Sequence, residues 1–400
     1  MTDVFLIHLR LPQPPLIERA AEILRAGGIV AFPTETVYGL GANALDDFAC
    51  EKIYAIKQRP RHNPLIVHVA DIAAVQQITT HWSDTAQELA RRFWPGPLTM
   101  VLPKGNSVSS VVTGHGPTVA VRIPQHPIAL ELLRAARLPV AAPSANRSQM
   151  LSPTTAEHVL TGLPQGVDMI LDGGPTNGGI ESTVVDLTCA VPTLLRPGLI
   201  TPHELRQVVP NLQIAPHLTS DDSLGELTLA TELSPASMAT TPALLDSGAY
   251  AILGGLTPKP TAGTAQLKSG ETLPPLPAPG MLARHYAPQA RMECWQNGSW
   301  RRVQELCRAG QPVGWIKWQD TPLIRHELVR TVELPRNVEV FARRLYAILH
   351  NFDEQRLPHV VVELPPEEEI WLAVRDRLRR GAILWSEKRD TKTLAESTAI

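Results

Sequence analysis

Ile29-Val-Ala-Phe-Pro-Thr-Glu-Thr-Val-Tyr-Gly-Leu-Gly41 is the stretch on which the reading of the fold turns. Ile29 to Phe32 is a short apolar run of the kind a buried strand makes. Before it, Pro15 to Ala26 sets apolar residues at helical spacing, and Gly27-Gly28 stops that helix. Behind the strand come two threonines and a tyrosine, with Gly39 and Gly41 where the next helix is expected to begin. Hydrogen-bonding side chains at a strand's carboxyl end, beside residues small enough to admit a ligand, are the layout of a site. A tight strand–helix corner has the same composition.

The alternation continues outward on both sides. A helical pattern from Leu45 to Lys57 leads to the strand Leu65 to Val69. Further strands are expected at Leu98 to Leu102, Thr118 to Ile123, Val140 to Ala142, Met169 to Leu171, Thr183 to Leu187 and Thr193 to Leu195. Helices are expected at Ser83 to Phe93, Pro127 to Ala136, Thr155 to Leu160 and Thr201 to Val209. Strands interleaved with helices indicate an α/β fold around a largely buried sheet. Several connections are too short for crossover helices, so the sheet is expected to be mixed.

The chain has 400 residues, more than one ordinary core needs. Residues 1–210 form the first expected domain. Residues 211–280 hold nine prolines, six acids and two bases, and bury too little apolar surface to offset the entropy of ordering. They are read as a linker, 211–289 once the following segment is included, with a short element around Ala243 to Leu253. From 290 onward six of the eight tryptophans appear. Strands at Val313 to Trp318 and His359 to Glu363 alternate there with helices at Trp300 to Arg308, Val338 to His350 and Glu367 to Arg380. This is a small α/β domain with a parallel sheet, without a Gly-x-Gly-x-x-Gly turn or a catalytic cluster.

Composition excludes several classes. Lys plus Arg is 37 against 39 Asp plus Glu, so the chain has no general attraction for nucleic acid or anionic membrane. Residues 1–210 carry 16 bases and 17 acids, unlike a duplex-RNA binder, and no strong direct nucleic-acid binding is expected. Four scattered cysteines make neither a disulfide framework nor a zinc site. The start lacks the pattern of a secretory signal, and no apolar run is long enough for a membrane span, so a cytoplasmic location is expected.

Polar loops follow the strands of the first domain. Lys57-Gln-Arg59-Pro-Arg61-His-Asn63-Pro64 sets three bases in five residues, with Pro60 among them and Pro64 behind to hold the loop's shape, which suits a polyphosphate. Ala141-Ala-Pro-Ser144-Ala-Asn146 offers small residues with a hydroxyl and an amide. Asp172-Gly-Gly-Pro-Thr-Asn-Gly-Gly179, followed by Ile-Glu-Ser182-Thr, is a glycine-rich loop entering a strand, though not a phosphate loop. Arg122 and Arg196 each sit in or behind an apolar run, where a buried arginine needs an anionic partner. Alone, the basic loop reads as a solvated charge run and the 141–146 segment as an ordinary turn, while the glycine-rich loop reads as well as a plain hairpin. The set is no longer generic.

These motifs resemble the YrdC-type domain of L-threonylcarbamoyladenylate synthases in the long form with a C-terminal extra domain. The resemblance runs from Gly27 to about Val209 and resumes at Pro279-Gly-Met-Leu-Ala-Arg-His-Tyr-Ala-Pro288; the C-terminal domain is similar only loosely, around Asp376-Arg-Leu. It implies a YrdC-like twisted mixed sheet with helices, joined by the linker to a smaller Rossmann-like α/β domain. It also implies a nucleotidyltransferase that converts L-threonine, bicarbonate or CO2, and ATP into threonylcarbamoyl-AMP and pyrophosphate. A downstream transferase would then pass the threonylcarbamoyl group to an adenosine of tRNA.

Carried over motif by motif, Thr36, His68, Arg122, Ala142 and Ser182 would face L-threonine. Arg59, Asn63, Thr118, Ser144, Ser152 and Arg196 would face ATP, with Tyr286 as a lid residue. Lys57, Arg59, Ser144 and Asn146 match the family's K-x-R and S-x-N signatures and are the expected catalytic set. Gln149 departs from the family, which has glycine there, so the local backbone is expected to differ. Mg2+ is implied by the ATP chemistry and would be held mainly by phosphates, since no carboxylate cluster announces a protein-held ion. Two other readings stay open: a non-catalytic RNA-binding module, and a carbamoyl-transfer enzyme.

Overall fold

The computed structural model describes residues 3–6, 14–218, 275–276, 278–279, 281 and 284–386. The first half of the chain runs β1 (Asp3–Leu6), α1 (Pro14–Arg25), β2 (Val30–Phe32), β3 (Gly39–Asn43), α2 (Asp47–Lys57), β4 (Ile66–His68), α3 (Ile72–Ile78) and α4 (Asp84–Phe93). It continues with β5 (Leu98–Pro103), β6 (Thr118–Arg122), α5 (Pro127–Ala136), β7 (Val140–Ala141), α6 (Ala156–Gly162), β8 (Met169–Asp172), β9 (Thr183–Asp186), β10 (Thr193–Arg196), α7 (Pro202–Arg206) and β11 (Gln213–Ile214). These eleven strands form one mixed sheet in the order β1-β8-β2-β3-β7-β4-β6-β5-β9-β10-β11.

Alternation along β2 shows how the sheet is buried on both faces. Val30 and Phe32 pack with Ile17, Leu24, Ile128 and Leu132 of α1 and α5, whereas Ile29 and Ala31 belong to the core on the other face. Helix starts obey local chemistry: Asp46, Ser83 and Thr155 each accept a backbone N–H at an N-terminus, and Thr201 with Glu204 closes a capping box.

The expectation of a helix at Gly39 and Gly41 is corrected. Gly39–Asn43 is β3, antiparallel to β2 and to β7. A Cβ at Gly41 would sit 2.8 Å from the Phe32 ring and 3.0 Å from Val140 Cγ1, so only glycine lets the aromatic side chain lie flat against the strand. Residues 211–218, expected to open the linker, instead extend the first sheet: β11 pairs with β10, and a 3-10 turn at Pro216–Leu218 buries Leu218. Residues 219–274 of the expected linker, including its short element around 243–253, lie outside the described residues.

The second half runs β12 (Arg291–Trp295), α8 (Ser299–Arg308), β13 (Val313–Trp318), β14 (Val329–Leu334), α9 (Val338–Glu354), β15 (His359–Glu363), α10 (Leu372–Gly381) and β16 (Leu384–Ser386). Its five strands are all parallel, in the order β14-β13-β15-β12-β16. Val37, Leu151 and Ile180 from the first half pack into the core formed by α9, α10 and this sheet. The two halves thus share apolar contacts where the loops of the first one gather. No helix among the described residues is long and apolar enough to cross a membrane.

Candidate active site

A chamber opens where the loops behind β2, β7 and β8 meet. It is lined by Thr34, Thr36, Val37, Gly39, Arg59, Ile66, His68, Arg122, Ala142, Pro143, Ser144, Glu181, Ser182, Arg196, Pro279, His285 and Tyr286. Nine residues expected at the site from sequence therefore converge: Thr36, Arg59, His68, Arg122, Ala142, Ser144, Ser182, Arg196 and Tyr286. Lys57, Asn63, Thr118, Asn146 and Ser152 do not line it.

The Pro33–Tyr38 loop is built by its own hydroxyls. Thr34 Oγ1 donates to the Val37 carbonyl at 2.6 Å and lies 2.8 Å from Thr36 Oγ1. Tyr38 OH donates to the Gly174 carbonyl at 2.8 Å, tying this loop to the glycine-rich one. Arg122, the last residue of β6, points into the loop. Its Nη1 donates to Thr36 Oγ1 at 3.0 Å and its Nε to the Gly96 carbonyl at 3.2 Å. Its Nη2 lies 2.6 Å from Glu35 Oε1, an ion pair that is not aligned as a hydrogen bond. The guanidinium is clamped from three directions, and its side chain lines the chamber.

His68 ends β4 beside Arg122. Burial, and then the neighbouring guanidinium, hold its imidazole down to about 3, so it is neutral at physiological pH. Its Nδ1 is buried with no hydrogen-bond partner among the described residues, and the same is true of Tyr286 OH. His285 Nδ1 is a third such atom in the lining, and together they leave hydrogen-bonding capacity for a polar ligand.

The basic loop is shaped by Arg59. Its Nε donates to the Asn63 carbonyl at 3.0 Å, and its Nη2 to Asn63 Oδ1 and the Pro64 carbonyl at 2.6 Å each. Burial pushes this guanidinium down to about 10, still cationic at neutral pH. Lys57 stands behind the wall, where Nζ donates to the carbonyls of Ser144 and Asn146 and pins that loop to the end of α2. Burial and then Arg59 hold its ammonium well below the usual lysine range. Asn146 Nδ2 donates to the carbonyls of Arg147 and Met150, and Ser152 Oγ donates to Glu181 Oε1. Thr118 opens β6, four residues before Arg122 and so roughly 13 Å from it along the strand.

Gln149 takes φ 71°, the left-handed conformation that glycine adopts freely. The backbone there keeps the glycine shape despite the side chain, and the Gln149 carbonyl accepts the Ala287 N–H at 3.0 Å. That bond seats the segment carrying His285 and Tyr286 against the chamber. Tyr286, itself at φ 61°, is 1% exposed.

Sequence reasoning missed Glu35, Thr34, Glu181 and His285. Each lies inside a quoted motif, and Glu35 is the only charge in its own, while Glu181 shares its motif only with Asp172. An isolated acid among small and apolar residues was the available signal. Arg196 fixes the far wall, its Nε donating to the Ser182 carbonyl and its Nη2 to Ser182 Oγ, both at 3.1 Å. The lining thus carries three guanidiniums against one carboxylate, and its excess positive charge suits anionic ligands.

Comparison with known proteins agrees with this geometry. Residues 22–198 match the Sua5/YciO/YrdC family, described as Telomere recombination, and residues 252–382 match the family described as Threonylcarbamoyl-AMP synthase, C-terminal domain. The chain is 37% identical to the threonylcarbamoyl-AMP synthase of Bacillus subtilis (strain 168), across 92% of this chain and 93% of that protein. It is 36% identical to the Pyrococcus abyssi threonylcarbamoyl-AMP synthase, across 92% and 94%. A crystal structure of P. abyssi Sua5 complexed with L-threonine superposes with a TM-score of 0.76 at 34% identity, covering 96% of this chain and 99% of that one. With both halves matched and the loops converging on one chamber, the chain belongs to the threonylcarbamoyl-AMP synthases, in the long form that carries a C-terminal domain.

Proposed function

We propose that the chamber binds L-threonine and ATP side by side and is where threonylcarbamoyl-AMP forms from them and bicarbonate, with release of pyrophosphate. The observation that carries this is the gathering of Arg59, Arg122 and Arg196 around hydroxyl-bearing loops in one buried space. The L-threonine complex of the P. abyssi relative supports it. Arg122 would hold the amino-acid carboxylate, with Thr36, His68, Ala142 and Ser182 around the rest of threonine. Arg59, Ser144, Arg196 and Tyr286 would face the nucleotide. Lys57 and Asn146 are proposed to act from behind by holding the Ser144 loop, and Asn63 by holding Arg59. Ser152 and Thr118 remain proposed nucleotide contacts from outside the lining.

The chemistry asks little of a nucleophile. The threonine amine adds to CO2, and the carbamate oxygen attacks the α-phosphate while pyrophosphate leaves. Positioning and charge stabilisation supply the rate enhancement. Magnesium is proposed to arrive with ATP, held by phosphates and water. Glu181, the one carboxylate in the described lining, already accepts from Arg377 and Ser152. We further propose a first domain that runs through 218 and a second that starts at 290, a cytoplasmic location, and delivery of the product to a separate transferase without strong tRNA binding by this chain. Purified protein is expected to release pyrophosphate only when ATP, threonine and bicarbonate are all present. Release without threonine would overturn the reading.

A further inference from the structure

A carboxylate in the wall of a chamber built for anions needs an explanation. Glu181, 6% exposed, is surrounded by partners from the C-terminal half. Its Oε2 accepts Arg377 Nε at 2.8 Å and Tyr346 OH at 3.2 Å, while its Oε1 accepts Ser152 Oγ. Arg377 comes from α10 and is 1% exposed. Its own position is set by Asp376 at 2.8 Å, the Pro197 carbonyl at 2.9 Å and the Tyr286 ring 5.0 Å away. Asp376 also holds Arg380 at 2.8 Å, and the Arg380 carbonyl accepts the His285 N–H at 3.1 Å. One helix of the second half therefore reaches both the chamber's acid and the segment that roofs it.

The chamber offers Glu181 another cation. Arg196 is bonded to Ser182, the next residue, and feels the same carboxylate. A buried carboxylate deprived of one partner takes the nearest other or draws in protons and water. We propose that Arg377 is a positioning residue for the nucleotide half of the chamber: by occupying Glu181 it keeps that carboxylate from Arg196, whose N–H groups beyond those donated to Ser182 and the Pro279 carbonyl then serve the phosphates of ATP. The C-terminal half then contributes charge balance to the reaction without touching substrate. This rests on the nucleotide reading of Arg196 given above.

Steady-state pyrophosphate release by the full chain tests it. Arg377→Gln is expected to raise the KM for ATP about tenfold, leaving the KM for threonine within about threefold. Adding Glu181→Gln removes the competing charge and is expected to bring the KM for ATP back to within about threefold of wild type. A double variant as impaired as Arg377→Gln alone overturns the proposal, because the arginine would then act by packing. Arg377→Lys keeps the charge without the fork and provides a milder series should Arg377→Gln not fold. About a threefold rise is expected there, again removed by Glu181→Gln, and a rise of equal size with and without Glu181 refutes the idea. Arg196→Ala separates the two readings. An unchanged KM for ATP in that variant overturns the nucleotide assignment itself, whatever Arg377 does.

Discussion

Arg377 Nε lies 2.8 Å from Glu181 Oε2, across 196 residues of chain and between the two sheets. Both side chains are almost wholly buried. Removing the arginine strands a charge, a loss of about 3–5 kcal/mol, whereas removing both charges is close to neutral. Denaturant unfolding is therefore expected to show Arg377→Gln clearly destabilised and Arg377→Gln with Glu181→Gln largely restored. A double variant less stable than the single one contradicts the pairing.

Arg122, proposed to hold the threonine carboxylate, is clamped by three protein groups. Lysine cannot reproduce contacts to Gly96, Thr36 and Glu35 at once. Arg122→Lys is expected to raise the KM for threonine about 10- to 100-fold, the scale of a lost charged contact, and to leave the KM for ATP within about threefold. The reverse pattern places threonine elsewhere.

Gly41 carries no chemistry but permits the sheet. Gly41→Ala drives a methyl group against the Phe32 ring at 2.8 Å and is expected to cost about 1–3 kcal/mol. Thermal unfolding reads this directly, with both Michaelis constants nearly unmoved. An unchanged melting temperature means the ring has room to shift.

His158 of α6 stacks on His350 of α9, ring centroids 3.8 Å apart and planes 20° from parallel. Thr154 faces the first ring, and the Ser152 carbonyl bonds the second. Burial, then His350, holds His158 down to about 3; burial lowers His350 as well. Both are neutral when folded, while the unfolded chain takes up protons near 6.5. Stability is thus fully present above pH 6.5 and erodes as the pH falls from there towards 3. The melting temperature is expected to drop between pH 7 and pH 5, less steeply in His158→Gln. Parallel slopes in the two proteins rule out this contribution.

Much of the architecture was legible. Leu98–Pro103, Thr118–Arg122 and Val313–Trp318 are buried almost end to end, and their apolar runs announce it. The helices capped by Asp46, Ser83 and Thr155 were placed within two residues at each end, whereas Ile72–Ile78, capped by Asp71, was overlooked. Arg291–Trp295 was overlooked because Glu293 interrupts its pattern; that glutamate is buried only because Arg302 meets it at 2.8 and 2.9 Å. Gly39–Asn43 was overlooked because a strand of small residues has no periodicity to show. Nine expected site residues meet at the chamber: His68, Arg122 and Arg196 end buried strands, and the other six sit in the segments that gather beside those ends.

The sequence by itself determined the alternation of strands and helices, the polar loops behind the strands and the chemical character of the site, because these depend on neighbours a few residues apart. Tertiary structure alone decided that Glu181 is answered by Arg377, that Lys57 holds a loop behind the chamber wall, and that Glu35 clamps Arg122. A charge is stabilised in a protein interior by whatever lies within a few ångströms, and folding brings those atoms from far along the chain.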